Sequence, residues 1–186
     1  MRTFFTADTH FAHKGILSPK MNRPRSFASI EEHDERAIAH WNDRVRPEDE
    51  VWHLGDFGYK GSASYYQSVF RRLHGRKHLV WGNHDHERTK VLPWYSQQER
   101  AEPVVEGVRI VLSHYAQRTW NRFHQGAIHA YGHSHGSLPG TARSLDVGVD
   151  DWQMRPVTMS EILERLAENA ALETGPAAVA ALAEAA

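Results

Sequence analysis

The sequence has no cysteine in its 186 residues. That excludes disulfides, thiolate zinc sites, iron–sulfur clusters and cysteine nucleophiles. Surplus charge is missing as well: Lys and Arg total 22 against 23 for Asp and Glu. No bulk charge therefore draws the chain toward nucleic acid or a membrane surface, although a local basic patch remains open. No run approaches the roughly 18 apolar residues of a membrane helix. Met1-Arg2-Thr3 leads straight into Phe4-Phe5, without the basic start and long apolar stretch of an export signal. The expected location is the cytoplasm. What the chain has in plenty is histidine, with 14 residues. Imidazole is the commonest metal ligand and the usual general acid or base, so the function is expected there.

Apolar runs and amphipathic stretches alternate along the chain, the pattern of an α/β fold. Strands are expected at Thr3–Ala7, Val51–Leu54, His78–Trp81, Ala127–Tyr131 and Leu145–Val149, with a hairpin at 104–112 turning on Glu106-Gly107. A capping-box spacing, Ser29 with Glu32, opens a helix stopped by Pro47, and Thr158 with Glu161 opens another. Tyr65, Tyr66, Val69, Phe70 and Leu73 mark a helix between them. Residues 1–171 read as one domain. From about Leu172 the chain is Ala-rich, broken by Gly175-Pro176, and is expected to be a frayed helix or a flexible tail.

Five of the apolar runs end at a polar group with donor chemistry: Asp8 with His10, Asp56, Asn83 with His84, His114, and His133 with His135. Asp-x-His or His-x-His alone is unremarkable in a chain this rich in histidine. Their placement is not, because each follows directly on a buried-strand pattern. In open α/β sheets such carboxyl ends converge on one crevice. The assembled carboxylate, amide and imidazole donors suit two borderline divalent metals (manganese, iron, cobalt, nickel or zinc) rather than calcium.

These blocks, Asp8-Thr9-His10, Gly55-Asp56, Gly82-Asn83-His84-Asp85, Ser113-His114 and Gly132-His133-Ser134-His135, resemble in order those of the calcineurin-like metallophosphoesterase family. The resemblance runs from residue 3 to about 157, and its end, Asp146 to Asp150 followed by Arg155-Pro156, is similar to small bacterial and phage-type members. It implies a four-layer α-β-β-α sandwich with facing sheets and a dinuclear site at the strand ends. Asp8, His10 and His135 are implied for the first metal, Asn83, His114 and His133 for the second, with Asp56 bridging and manganese the expected ion. Phosphate-ester hydrolysis by metal-activated hydroxide is implied. His84 would assist the leaving oxygen, and Asp85 would orient its ring.

Around this set the sequence leaves alternatives open. His13 either touches substrate phosphate or lines the pocket. Arg23 and Arg25, flanking Pro24, could clamp a phosphate or lie in a solvated loop. His53 and His78 read as core or sheet-face residues. A non-catalytic scaffold is the alternative from another class, but it expects damaged ligand positions, and every position here is filled. A small phosphodiester or nucleotide is the favoured partner, with phosphomonoesters and nucleic acid as alternatives, because the chain has no segment long enough for a cap domain.

Overall fold

The computed structural model describes residues 1–174. In chain order the strands of the first sheet are β1 (Thr3–Thr6), β2 (Glu50–His53), β3 (Arg76–Val80) and β4 (Ser96–Gln98). These four are parallel. Helices α1 (Ile30–Arg44) and α2 (Ala63–Arg72) make the crossovers, and α3 is a single turn, Glu87–Lys90. The second sheet contains β5 (Arg100–Ala101), β6 (Val104–Val105), β7 (Val108–Ser113), β8 (Ile128–Tyr131) and β9 (Ser144–Asp146). Here β7, β8 and β9 are parallel. The short β10 (Val157–Thr158) returns antiparallel to β1 and leads into α4 (Met159–Thr174).

Alternation along each strand builds the layers. Phe5, Ala7, Trp52, Leu54 and Val80 face Ile110, Leu112, Ala130 and Leu145 across the space between the sheets. Phe4 and Val51, on the opposite pleat, pack under Ala37, Ile38 and Trp41 of α1 and Val69 and Phe70 of α2. Met159, Ile162 and Leu166 bring α4 into the inter-sheet core. On the outer face of the second sheet, Val111 is covered by Trp120 from the loop before β8. The result is a mixed α/β fold of two facing sheets flanked by helices.

Local chemistry sets the ends. The Ser29 side chain accepts from the Glu32 N–H at the start of α1. Glu106 and Gly107 both take positive φ, 52° and 81°, the conformation of a tight two-residue hairpin turn. The strand expected at Leu145–Val149 stops at Asp146. The buried Asp146 carboxylate accepts the Gly148 N–H at 2.6 Å, and residues 149–151 then wind into a 3₁₀ turn. Of the expected tail, Leu172–Thr174 continue α4, and Glu173 accepts the Ala142 N–H at 3.0 Å. Residues 175–186 lie outside the described residues.

Candidate active site

The loops that leave β1, β2, β3, β7 and β8 converge at one end of the seam between the sheets. They carry all seven residues expected as ligands. Five of these, Asp8, His10, Asp56, His133 and His135, have φ between 48° and 66°. Non-glycine residues pay roughly 1–3 kcal/mol for that region, and such strain clusters at functional sites. Neighbouring loops hold the strained backbone: the Asp8 N–H bonds to Gly55 O at 2.9 Å, and the His10 N–H to Asp56 O at 3.0 Å. Gly55, at φ +95°, is needed for a second reason. A Cβ there would lie 2.5 Å from His114 Nδ1.

The side chains form two triads with ligand atoms mutually within 4.8 Å: Asp8, His10 and His135, and Asp56, His114 and His133. Asp56 Oδ2 lies between the two groups, 3.6 Å from His10 Nε2 and 3.5 Å from His114 Nε2. Asn83 Oδ1 is 3.0 Å from His114 Nε2. His10 Nε2 and His135 Nε2 face each other at 3.3 Å.

The imidazole protonation states favour coordination, whereas burial and the Asp146 and Asp56 carboxylates raise Asp8, a repulsion that a bound cation would relieve. Burial holds His10 well below its usual value, and His114 and His133 are lowered for the same leading reason. All three are therefore neutral near pH 7 and offer lone pairs. His114 Nδ1 donates to the Leu54 carbonyl at 2.8 Å, leaving Nε2 as the free base. His135 Nδ1 likewise meets Asp150 Oδ2 at 2.7 Å. Asp8 Oδ1 is buried with no hydrogen-bond partner among the described residues. A buried, unpartnered carboxylate oxygen beside neutral imidazoles fits a divalent cation.

The structure corrects two of the expected roles. Arg25 is buried, and its five N–H donors are occupied. Nε and Nη2 fork onto Asp150 at 2.8 Å each, Nη2 also meets Asp8 O, and Nη1 meets Thr9 O and His33 Nε2. No donor is left to clamp phosphate. Asp85 does not orient the His84 ring. Its two oxygens accept the backbone N–H groups of Asp56, Phe57 and Gly82 at 2.8–3.1 Å, bracing the Asp56 loop.

Other expected residues lie at the rim. Arg23 is half-exposed and bonds to His135 O at 2.7 Å and Asp151 at 3.0 Å. The His13 ring lies 5.0 Å from that of His10, and burial lowers it to about 4. The His84 ring is 4.4 Å from Tyr59, and its Nε2 is 4.0 Å from Asp56 Oδ2. Three supporting residues escaped the sequence reading. Asp150 carries His135, and Tyr59 walls His84. Asp146 accepts from Ser134 Oγ and the Gly136 N–H to hold the His133–His135 loop. Only the acidic pair in the 146–150 segment hinted at any of them.

The family model for the calcineurin-like phosphoesterase superfamily domain matches residues 1–146. The chain belongs to this family. It is thus a phosphoesterase, a hydrolase that cleaves phosphate esters in a metal-dependent reaction, which sets aside the scaffold alternative. An uncharacterized protein of Methanocaldococcus jannaschii is 26% identical over 183 residues, covering 93% of this chain and 96% of the relative. The Gene 66 protein of Mycobacterium phage D29 is 28% identical, covering 87% and 94%. Among solved structures, a protein of unknown function from Aquifex aeolicus superposes with a TM-score of 0.68 at 24% identity, covering 87% of this chain and 97% of that one. An archaeal phosphodiesterase gives 0.50 at 20% identity, covering 80% and 82%. Both structures share the phosphoesterase fold. No helix among the described residues is long and apolar enough to cross a membrane.

Proposed function

We propose that this phosphoesterase is dinuclear and hydrolyses a small phosphodiester or nucleotide ester. The reading is carried by Asp56 Oδ2, which belongs to the second triad, 3.5 Å from His114 Nε2, and also approaches the first, 3.6 Å from His10 Nε2. Asp8, His10 and His135 would hold one cation, and Asn83, His114 and His133 the other, with Asp56 shared. Mixed imidazole and oxygen donors suit manganese, with iron, nickel, cobalt or zinc as alternatives. When bound, the cations supply Lewis acidity toward the phosphoryl oxygens and the attacking water.

The chain's own residues do the rest. His84 is tethered by its backbone N–H to Asp56 Oδ1 at 2.9 Å, with its ring above the triads. From Nε2 it passes a proton to the oxygen leaving phosphorus as water adds. His13 and Arg23 flank the first triad and line the approach for an anionic substrate. No inserted segment among the described residues caps the site, which favours small esters over a long polymer, as does the net charge of −1.

The test is elemental analysis of protein reconstituted with manganese, combined with a panel of monoester, diester, cyclic-nucleotide and polynucleotide substrates. Two ions per chain and preferential diester turnover, abolished by chelator, are expected. A single ion, or a preference for monoesters, would overturn the reading.

A further inference from the structure

A groove of about 470 Å³ opens directly from the second triad, lined by Asn83 and His114 and walled by Trp81, Lys90, Arg100 and Tyr115. Its aromatic walls are held in place. Trp81 Nε1 donates to Gln97 Oε1 at 3.2 Å, and Gln97 Nε2 donates to the Lys90 carbonyl at 2.9 Å. One strand residue thus braces both Trp81 and Lys90, whose Nζ sits 4.1 Å from the indole centroid. Tyr115 lines the same groove. Its ring lies 4.5 Å from that of His133, yet the residue is 53% exposed. A large aromatic side chain beside the site and open to solvent offers a face on which a planar group can stack.

The wall carries mixed charge with one unpaired cation. Lys90 meets no carboxylate within ion-pair distance among the described residues, whereas Arg100 is paired with Glu102 at 2.6 Å and Glu99 also lines the groove. An aromatic group attached to an anionic ester matches this lining, whereas an alkyl or glycerol arm would leave the exposed Tyr115 ring without a stacking partner. A separate groove of about 360 Å³ runs along His84, Tyr59 and Arg88. His84 serves the leaving oxygen, so the departing arm occupies that second groove and the retained arm falls on the Asn83 side.

We propose that the Trp81–Tyr115 groove is a nucleobase subsite and that the substrate is a nucleoside phosphodiester whose retained nucleoside stacks there. This rests on the phosphodiesterase reading above. Stacking of a base on a protein aromatic carries an alanine-substitution effect of roughly 5- to 150-fold in affinity.

Two diesters with the same leaving group test it: thymidine 5′-(4-nitrophenyl phosphate) and methyl 4-nitrophenyl phosphate, assayed with manganese. The wild-type protein is expected to show a KM about tenfold or more lower for the nucleoside ester. Tyr115→Ala should collapse most of that ratio, Tyr115→Phe should keep it, and Trp81→Ala should lower it similarly. Tyr115 is exposed, so its variant removes little packing and keeps the test sound if Trp81→Ala folds poorly. Thymidine 5′-monophosphate should inhibit the wild type more strongly than inorganic phosphate, and lose that advantage in Tyr115→Ala. Equal KM values for the two wild-type esters, or a ratio unchanged in both alanine variants, would overturn the subsite. Manganese-dependent turnover of the methyl ester reports separately on the phosphodiesterase reading.

Discussion

At the scale of single residues, the demand on His84 depends on what leaves. An alkoxide is strongly basic and needs a proton, whereas nitrophenolate departs without one. His84→Ala is therefore expected to lose about 10²–10⁴-fold on a ribose-type ester and much less on a nitrophenyl ester. Metal content should hold, since His84 is not in either triad. Equal losses on both esters would instead place His84 on the phosphoryl oxygens. Arg25 carries the opposite kind of prediction. Its fork onto Asp150, which supports His135 Nδ1, makes it a positioning residue. Arg25→Lys cannot satisfy five acceptors from one ammonium. It should destabilise the fold by about 1–3 kcal/mol, as leaving buried acceptors unsatisfied does. It should also weaken metal binding about 10–100-fold. Denaturant melts and metal titration read both, and a variant altered only in KM would restore the phosphate-clamp role. The candidate ligands were legible because each ends an apolar run. Arg25 was not, because Arg-Pro-Arg looks the same whether the guanidinium faces solvent or a carboxylate 125 residues away.

At the scale of elements, short-range chemistry was readable and edge chemistry was not. Ser29 and Thr158 announce α1 and α4 through spacing alone, and both caps form. The strands β4 and β5 are polar edge segments without apolar alternation, so nothing in Ser96–Gln98 or Arg100–Ala101 distinguishes them from loop. The α4 cap also makes an acid-sensitive joint. Burial would raise the Glu161 carboxyl, but the Thr158 N–H and the Arg155 and Arg44 guanidinium groups outweigh it and bring it down to about 2 from 4.5. A value lowered on folding adds stability that is complete above 4.5 and lost as pH falls toward 2. Glu161→Gln should lower stability at pH 7 by about 1 kcal/mol, the usual worth of a cap. Paired denaturation curves should show that deficit fading below pH 4.5. A deficit constant down to pH 2.5 would show that packing, not charge, is what the substitution removed.

On the whole-molecule scale, the site sits across the joint between the two sheets. Asp8, His10 and Asp56 come from loops of the first sheet, and His114, His133 and His135 from loops of the second. Each triad takes donors from both. Cations bound there would tie the sheets together at the end where the protein backbone is most strained, in the five left-handed ligand residues. A ligand that binds only the folded chain stabilises it by about 2.7 kcal/mol at 100 times its Kd. For a protein of this size that raises Tm by roughly 5–10 °C per site. Manganese should therefore raise Tm by at least that much, and chelator should reverse it. Because burial keeps His10, His114 and His133 neutral below their usual 6.5, the increment should persist at pH 6.5 and vanish in stronger acid. Asp56→Asn removes the one carboxylate adjoining both triads, and should abolish most of the increment, where His10→Ala should remove about half. Calorimetric scans of the three proteins with and without manganese decide it. If Asp56→Asn keeps the full increment, the cations do not share Asp56, and the two triads act as independent sites.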